Sequence, residues 1–190
     1  MYGALKTHIT RLADPGADAI ALLDPILEYR QLKKKEVLLK EGDTCRYYWF
    51  VLDGCLRSYF VNDKGAEQTL QFAIEQWWLS DFMSLQTKNP ASFSVQAVEK
   101  TTVAMIERSA YESLLVKAPA FERYFRIVFQ KAYAASQLRV KYLYTLSGEE
   151  RYHHFNKNFP GFVQRVPQYM LASYLGFTPE FLSRIRARQL

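Results

Sequence analysis

Cysteine is scarce in this chain of 190 residues: only Cys45 and Cys55 occur. Two thiols exclude a disulfide framework, and they exclude a cysteine-ligated iron–sulfur cluster, which takes about four. In a reducing compartment both are expected to be free. Long apolar runs are missing as well. No stretch approaches the about 18 apolar residues of a membrane span, so no membrane partner is expected. Residues Met1–Arg11 hold no apolar segment followed by a small-residue cleavage site. A secretory signal is therefore not expected, and the cytoplasm is the expected location. Histidine is thin. His8 stands alone, and His153 and His154 are neighbours, which on a helix point about 100° apart and cannot share a metal as i,i+4 ligands do. Phosphate-binding loops, zinc-ligand spacings and nucleophile–base pairings are absent, so neither a metal site nor an enzyme is expected.

What is present is a globular composition, 49% apolar and 23% charged, enough to build a core. The charge is unevenly placed. Residues 1–116 hold 13 basic and 15 acidic side chains, whereas residues 117–190 hold 12 basic and 4 acidic. An acidic front and a basic back suggest separate modules, the second meeting a polyanion.

The front opens with a helix candidate, Asp14–Leu27, which Pro25 kinks or ends. From Lys35 to Glu107 short β-rich runs alternate with glycine turns. The runs are Glu36–Lys40, Tyr47–Leu52, Cys55–Val61, Gln68–Ile74, Phe93–Val98 and Thr101–Ile106. Asp53-Gly54 and Asn62-Asp63-Lys64-Gly65 are hairpin signals, because such turns take positive φ. Strands this short and evenly spaced predict an antiparallel barrel or roll. Arg57 and Glu67, on adjacent strands, are expected to form a surface pair.

At Ala118 the period changes. Phe121, Phe125, Val128, Ala132, Ala135, Arg139, Tyr142 and Leu146 recur at helical spacing, and Phe129, Tyr133, Ser136, Val140 and Leu143 widen the stripe. About 28 residues without glycine or proline predict a helix of roughly 42 Å. A stripe of that length fits a dimer seam, with the alanines permitting close approach, or a helix lying along its own barrel. Ser147 then caps a further helix carrying Arg151 to Phe155, which Pro160-Gly161 is expected to end.

The C-terminal segment carries the most specific pattern. One short helix runs from Pro167 to about Tyr174, Gly176 makes the turn, and Thr178 with Pro179 starts a second helix. Met170, Leu171, Leu175, Phe181, Leu182 and Ile185 can form the core between them. This is a helix-turn-helix whose second helix is the candidate reader of the DNA major groove. Glu180 can accept from a cytosine amino group, and Arg184, one turn later, can bridge to guanine. Ser183, Arg186 and Arg188 reach phosphates or flanking bases. Gln168, Tyr169 and Ser173 on the first helix approach the backbone, with Thr178 at the turn between them.

Over nearly its whole length the chain resembles the Crp/Fnr family of bacterial transcription regulators. Glycines 42, 54 and 65 sit where that family's β-roll turns lie, and the long helix sits where its dimerisation helix lies. Ala172-Ser173-Tyr174-Leu175-Gly176 through Leu182-Ser183-Arg184-Ile185-Arg186 resembles its helix-turn-helix. The string Phe72-Ala73-Ile74-Glu75-Gln76-Trp77-Trp78-Leu79-Ser80-Asp81 resembles the branch common in Bacteroidetes-type bacteria. The resemblance implies an α+β fold: a β-roll sensor domain over residues 1–116, a dimerisation helix over 117–146 and a DNA-binding helix-turn-helix over 147–190. It places Glu180 and Arg184 on base-reading positions. Pro179 replaces the family's usual arginine at the second helical position, and the family's β-wing is truncated, so its DNA sequence cannot be copied across.

In the cyclic-AMP-binding members of that family, an arginine in the roll holds the cyclic phosphate and a glutamate holds the ribose. The corresponding runs here are Ser80-Asp81-Phe82 and Pro90-Ala91-Ser92-Phe93-Ser94. Asp81 could replace the glutamate, but the arginine position is Ala91. Cyclic AMP is not expected, since a buried phosphate needs a charge-assisted partner. Trp77, Trp78, Asp81, Phe82, Ser92 and Phe93, with Tyr47 and Trp49, either line a pocket for another small molecule or fill the barrel. The function expected is a homodimeric regulator on a pseudo-palindromic operator of double-stranded DNA. The alternative is a small-molecule-binding roll whose helical tail docks a protein partner.

Overall fold

The computed structural model describes residues 3–188. They form two compact units, one of residues 3–60 and 72–130, the other of residues 61–71 and 131–188. The boundary falls inside the long helix, near residue 130, and not at its ends.

The first unit begins with helices α1 (Ala4–Leu12) and α2 (Ala17–Ala21) and a 3-10 turn at Asp24–Ile26. The single helix expected over Asp14–Leu27 is thus broken. Asp14 and Gly16 both take positive φ, and Pro25 lies within the 3-10 turn. Eight strands follow: β1 (Leu27–Leu32), β2 (Val37–Leu39), β3 (Tyr47–Asp53), β4 (Leu56–Val61), β5 (Glu67–Ala73), β6 (Trp78–Leu79), β7 (Ser94–Ala97) and β8 (Thr101–Glu107). They make two four-stranded sheets, ordered β1-β8-β3-β6 and β2-β7-β4-β5. All six expected strands are there, and the pairings of β8 with β1 and β3 are antiparallel. Strands β1 and β6 are additions. β1 is mostly polar and exposed, and β6 has two residues, so neither carries a period to read.

Alternation along β3 explains the roll. Trp49 and Val51 enter one core with Leu56, Leu79, Val95, Val103 and Met105. Phe50, facing the other way, packs with Leu5, Ile9, Trp78, Ala104, Ile106, Phe121, Tyr124 and Phe125. A sheet covered on both faces needs apolar residues at successive positions, which is why Tyr47–Leu52 and Thr101–Ile106 read as near-continuous runs. The surface position expected for Arg57 is corrected. Arg57 is 1% exposed, its guanidinium lies 4.1 Å from the Tyr59 ring, and its Nε and Nη2 donate to Gln96 Oε1 at 3.1 and 2.7 Å.

Beyond the roll come α3 (Phe82–Thr87, between β6 and β7), α4 (Arg108–Lys117) and α5 (Ala120–Thr145). At 26 residues, α5 is about 39 Å long. The front of the stripe expected to form a seam is covered within the chain. Phe121 and Phe125 are buried in the second core of the first unit, and Val128 packs against that core. Tyr142 packs on His154 with ring centroids 4.6 Å apart, and Arg139 is held within the second unit. The exposed apolar residues lie further along, and two of them, Tyr133 and Val140, are among those that widen the stripe. Tyr133, Val140 and Tyr144 are 66%, 49% and 87% exposed, and they stand within about 40° of one another around the helix. Ala132 and Ala135 are also exposed.

The second unit contains α6 (Gly148–Asn158), α7 (Pro160–Arg165), α8 (Gln168–Leu175) and α9 (Pro179–Ala187). Ser147 and Glu150 form a capping box at 3.3 and 2.8 Å, satisfying two orphan N–H groups of α6. Pro160 follows the C-cap Phe159 as expected, and it also starts α7, a helix too short to show periodicity. Tyr152, Val163, Leu171, Ala172, Leu175, Leu182 and Ile185 form this unit's core.

Candidate nucleic-acid interface

The turn between α8 and α9 is built from local chemistry. Gly176 sits at φ 80°, where a side chain would be strained. The Phe177 N–H bonds back to Ala172 O and the Gly176 N–H to Ser173 O, both at 3.1 Å. That pair is a Schellman closure, and it satisfies the last carbonyls of α8. Two residues on, the Thr178 hydroxyl accepts from Phe181 N at 3.3 Å and Pro179 occupies the first turn of α9. Replacing Thr178 with alanine is expected to cost about 1 kcal/mol, read as a lower urea midpoint for the helix-turn-helix.

This geometry sorts the predicted DNA residues. Met170, Leu171, Leu175, Leu182 and Ile185 are buried and Phe181 is half-buried. Glu180, Ser183, Arg184 and Arg188 are exposed and share one face of α9, at i, i+3, i+4 and i+8. Arg186 is half-buried and turned about 120° from Glu180. The Glu180 carboxyl is held below the usual carboxylate range by its own backbone N–H and the Thr178 hydroxyl, with help from Arg184. It is therefore ionised at neutral pH and acts as an acceptor only. The Arg184 guanidinium lies 5.8 Å from the Phe181 ring, and Arg188 reaches Glu149 at 3.9 Å. Gln168 and Tyr169 are exposed at the start of α8. An open concavity beside α9 is lined by Gly148, Arg151, Phe177, Thr178, Phe181 and Arg184. It depends on Gly148, where an added Cβ would stand 2.6 Å from Phe181 Cε1.

Ser173 is a correction. Its hydroxyl is already engaged, accepting from Thr69 N at 2.9 Å and donating to Glu67 O at 3.2 Å, so it is not offered to a DNA phosphate. Two arginines from the basic surplus also have internal roles that composition could not reveal. Arg151 donates through Nε to Leu175 O at 3.0 Å and through Nη1 to Leu146 O at 2.8 Å and Leu143 O at 3.3 Å. It neutralises carbonyls at the C-terminal ends of α5 and α8, where a cation is favoured. Arg139 donates to Leu70 O at 2.6 Å and Tyr174 O at 2.9 Å and stacks 4.3 Å from the Tyr174 ring. Burial pushes its pKa down from the ordinary guanidinium value.

The residues proposed for an effector pocket do not converge. Trp77 is 44% exposed. Trp78 is buried in the second core, its indole N–H donating to Tyr124 Oη at 2.9 Å. Phe82 is exposed and packs on Phe129, with ring centroids 5.2 Å apart, whereas Phe93 packs against the roll interior. Trp49 is in that interior, as the core reading expects. Asp81 caps α3, accepting from Ser84 N at 2.9 Å on one oxygen and from Ser92 N at 3.1 Å on the other. Ala91 is buried and bonded to the Gly42–Asp43 turn, its N–H to Asp43 O at 2.8 Å. Among the described residues, no three His, Cys, Asp or Glu side chains gather as metal ligands. No described helix is long and apolar enough to cross a membrane.

Comparison with known proteins bears on both halves. The sequence model of the family described as "Cyclic nucleotide-binding domain" matches residues 29–118. The transcriptional activator protein FnrA of Stutzerimonas stutzeri is 29% identical over 184 residues, covering 90% of this chain and 74% of FnrA. The anaerobic regulatory protein of Haemophilus influenzae is 26% identical over 178 residues, covering 87% of this chain and 68% of that one. Among solved structures, FixK2 from Bradyrhizobium japonicum superposes with a TM-score of 0.74 at 18% identity, over 86% of this chain and 84% of FixK2. CLP of Xanthomonas campestris, described as a c-di-GMP-responsive global regulator, also gives 0.74, at 15% identity, over 92% and 91% of the two chains. The structural likenesses establish the fold.

Proposed function

We propose that this chain, which belongs to the Crp/Fnr family of transcription regulators, acts in the cytoplasm as a homodimer that reads a pseudo-palindromic operator through α9. The observation carrying this reading is the exposed face of α9. A Schellman turn and a Thr178 cap aim Glu180, Ser183 and Arg184 outward from a buried helix-turn-helix core. Arg184 reads a base, Glu180 accepts from a base amino group, and Ser183, Arg186, Arg188, Gln168 and Tyr169 contact the backbone. Two copies place their recognition helices about 34 Å apart, in successive major grooves. Their seam is the Tyr133–Val140–Tyr144 face of α5. No catalytic role is assigned to the chain.

Genome-wide mapping of bound DNA tests this reading, followed by a salt titration on a recovered site. A regulator enriches a paired motif and shows a steep log–log slope of affinity against salt. A helical tail that docks a protein enriches no motif and shows a shallow slope. Arg184→Ala is expected to cost about 1–3 kcal/mol on the recovered operator and to relax one base position. Unchanged affinity and specificity in that variant refute the base-reading role. Arg186→Ala and Arg188→Ala are expected to weaken all sequences alike and to flatten the salt slope.

The roll in this reading does not take cyclic AMP. Ala91 supplies no cation for a phosphate, and both Asp81 oxygens already hold backbone N–H groups. Thermal melts with cyclic AMP test this. A ligand at 100 times its dissociation constant adds about 2.7 kcal/mol, so an unmoved midpoint at millimolar nucleotide is the expected result.

A further inference from the structure

Arg139 stands on the part of α5 that bears the exposed seam, yet its own side chain turns inward within the second unit. One guanidinium serves three segments there. It is carried by α5, Nη1 donates to the Leu70 carbonyl at 2.6 Å, and Nη2 donates to the Tyr174 carbonyl near the end of α8 at 2.9 Å. The Tyr174 ring stacks on it at 4.3 Å. Next to Tyr174, Ser173 closes a second link to the same stretch, through Thr69 N and Glu67 O. Strand β5 lies at the edge of its sheet, so its outward backbone groups are open to such partners. A planar fork meets two carbonyls at fixed geometry, which a lysine ammonium cannot do. The link is also incompletely satisfied: Arg139 Nε and Thr69 Oγ1 are buried without a hydrogen-bond partner.

We propose that Arg139 is a positioning residue for DNA recognition, fixing where α8, and through the Gly176 turn α9, stands on the helix that bears the dimer seam. The proposal rests on the DNA-binding reading above. Arg139 touches no base. Its distance from the seam, held constant by the two carbonyls, sets how far each recognition helix stands from the two-fold axis. The quantity it controls is therefore the half-site spacing that the dimer accepts, and not the half-site sequence.

The test uses the full chain and a random-sequence duplex pool. Wild type, Arg139→Met and Arg139→Lys each select DNA, and the bound fraction is sequenced and aligned for paired half-sites. Wild type is expected to enrich one spacing. Arg139→Met is expected to enrich the same half-site over spacings spread by about one to two base pairs, each about 3.4 Å along the axis, and Arg139→Lys to spread less. A single unchanged spacing in Arg139→Met overturns the proposal. Loss of the half-site motif itself overturns it too, since that marks a merely structural residue. If Arg139→Met does not fold, as read by circular dichroism, Ser173→Ala removes only a hydroxyl from the same link and is judged by the same spacing. A wild-type chain that enriches no motif instead refutes DNA reading altogether, and is recognised as such before any variant is compared.

Discussion

Val140→Asp is expected to convert the regulator into a monomer and to lower its operator affinity by about 10²–10⁴-fold, or about 2.7–5.5 kcal/mol. Val140 lies between Tyr133 and Tyr144 on the exposed face of α5. In a two-fold seam each residue near the axis meets its own copy. A carboxylate there sets like charges together in a desolvated contact, which costs far more than the apolar packing it replaces. Within one chain the change is mild, because Val140 is half exposed and belongs to none of the buried clusters. The variant should therefore sediment as a folded 22.2 kDa species, against twice that mass for wild type. The loss of affinity follows from effective concentration: the second half-site is no longer presented by a tethered partner. A Val140→Asp chain that stays dimeric at micromolar concentration places the seam elsewhere. Phe125→Asp is the contrasting control. Phe125 is buried against Trp78, Tyr111 and Tyr124, so a charge there should prevent folding of the first unit.

Gly54→Ala is expected to cost about 3 kcal/mol or more, lowering the melting temperature by roughly 6–12 °C. Two effects combine. Gly54 takes φ 95° in the β3–β4 turn, and an added Cβ would lie 2.6 Å from both Lys100 O and Thr101 Oγ1 and 2.8 Å from Thr101 Cα. Those neighbours cannot yield cheaply. Thr101 is fully buried, and its Oγ1 accepts from Cys55 N at 3.2 Å and has the carbonyls of Glu99 and Cys55 at 2.9 and 3.1 Å as acceptors for its one proton. The displaced residues begin β8, the strand between β1 and β3. Gly42→Ala separates the two causes. Its φ is 92°, but an added Cβ meets nothing within 4 Å, so only backbone strain remains and about 1 kcal/mol is expected. Equal melting points for the two variants would mean that the contact at Gly54 counts for nothing.

The helix-turn-helix was legible because its signals are local. Gly176, Thr178 and Pro179 act within a few residues of themselves, through a φ value, one hydroxyl and one missing N–H. Strands β2, β3, β4, β5, β7 and β8 were legible for a similar reason, since glycine turns and β-rich runs are short-range patterns. Helix α1 and strand β1 were not read. Leu5 and Ile9 are buried in a core that includes Phe50, Trp78 and Phe121, residues that lie far along the chain. The two readings left open for the candidate effector residues were likewise separated only by distant partners. Asp81 resembles a ligand-holding carboxylate until Ser84 and Ser92 are seen to occupy it. Trp78 resembles a pocket wall until its indole is found on Tyr124.

By itself, the sequence determined the class of the molecule: a β-roll, a long helix and a basic helix-turn-helix, with Glu180 and Arg184 outward on the last helix. Helical period established that α5 has an apolar stripe, but a stripe that nearly circles the helix does not say which side the chain covers for itself. Tertiary packing decided that. It buried Phe121 and Phe125, turned Arg139 inward onto two carbonyls, and left Tyr133, Val140 and Tyr144 uncovered. It also divided the basic surplus, taking Arg139 and Arg151 for backbone carbonyls and leaving Arg184 and Arg188 exposed on α9. A guanidinium carries the same charge in either role. Only the three-dimensional fold, by bringing acceptors from distant segments within hydrogen-bond reach, determines whether that charge holds the protein together or stays exposed.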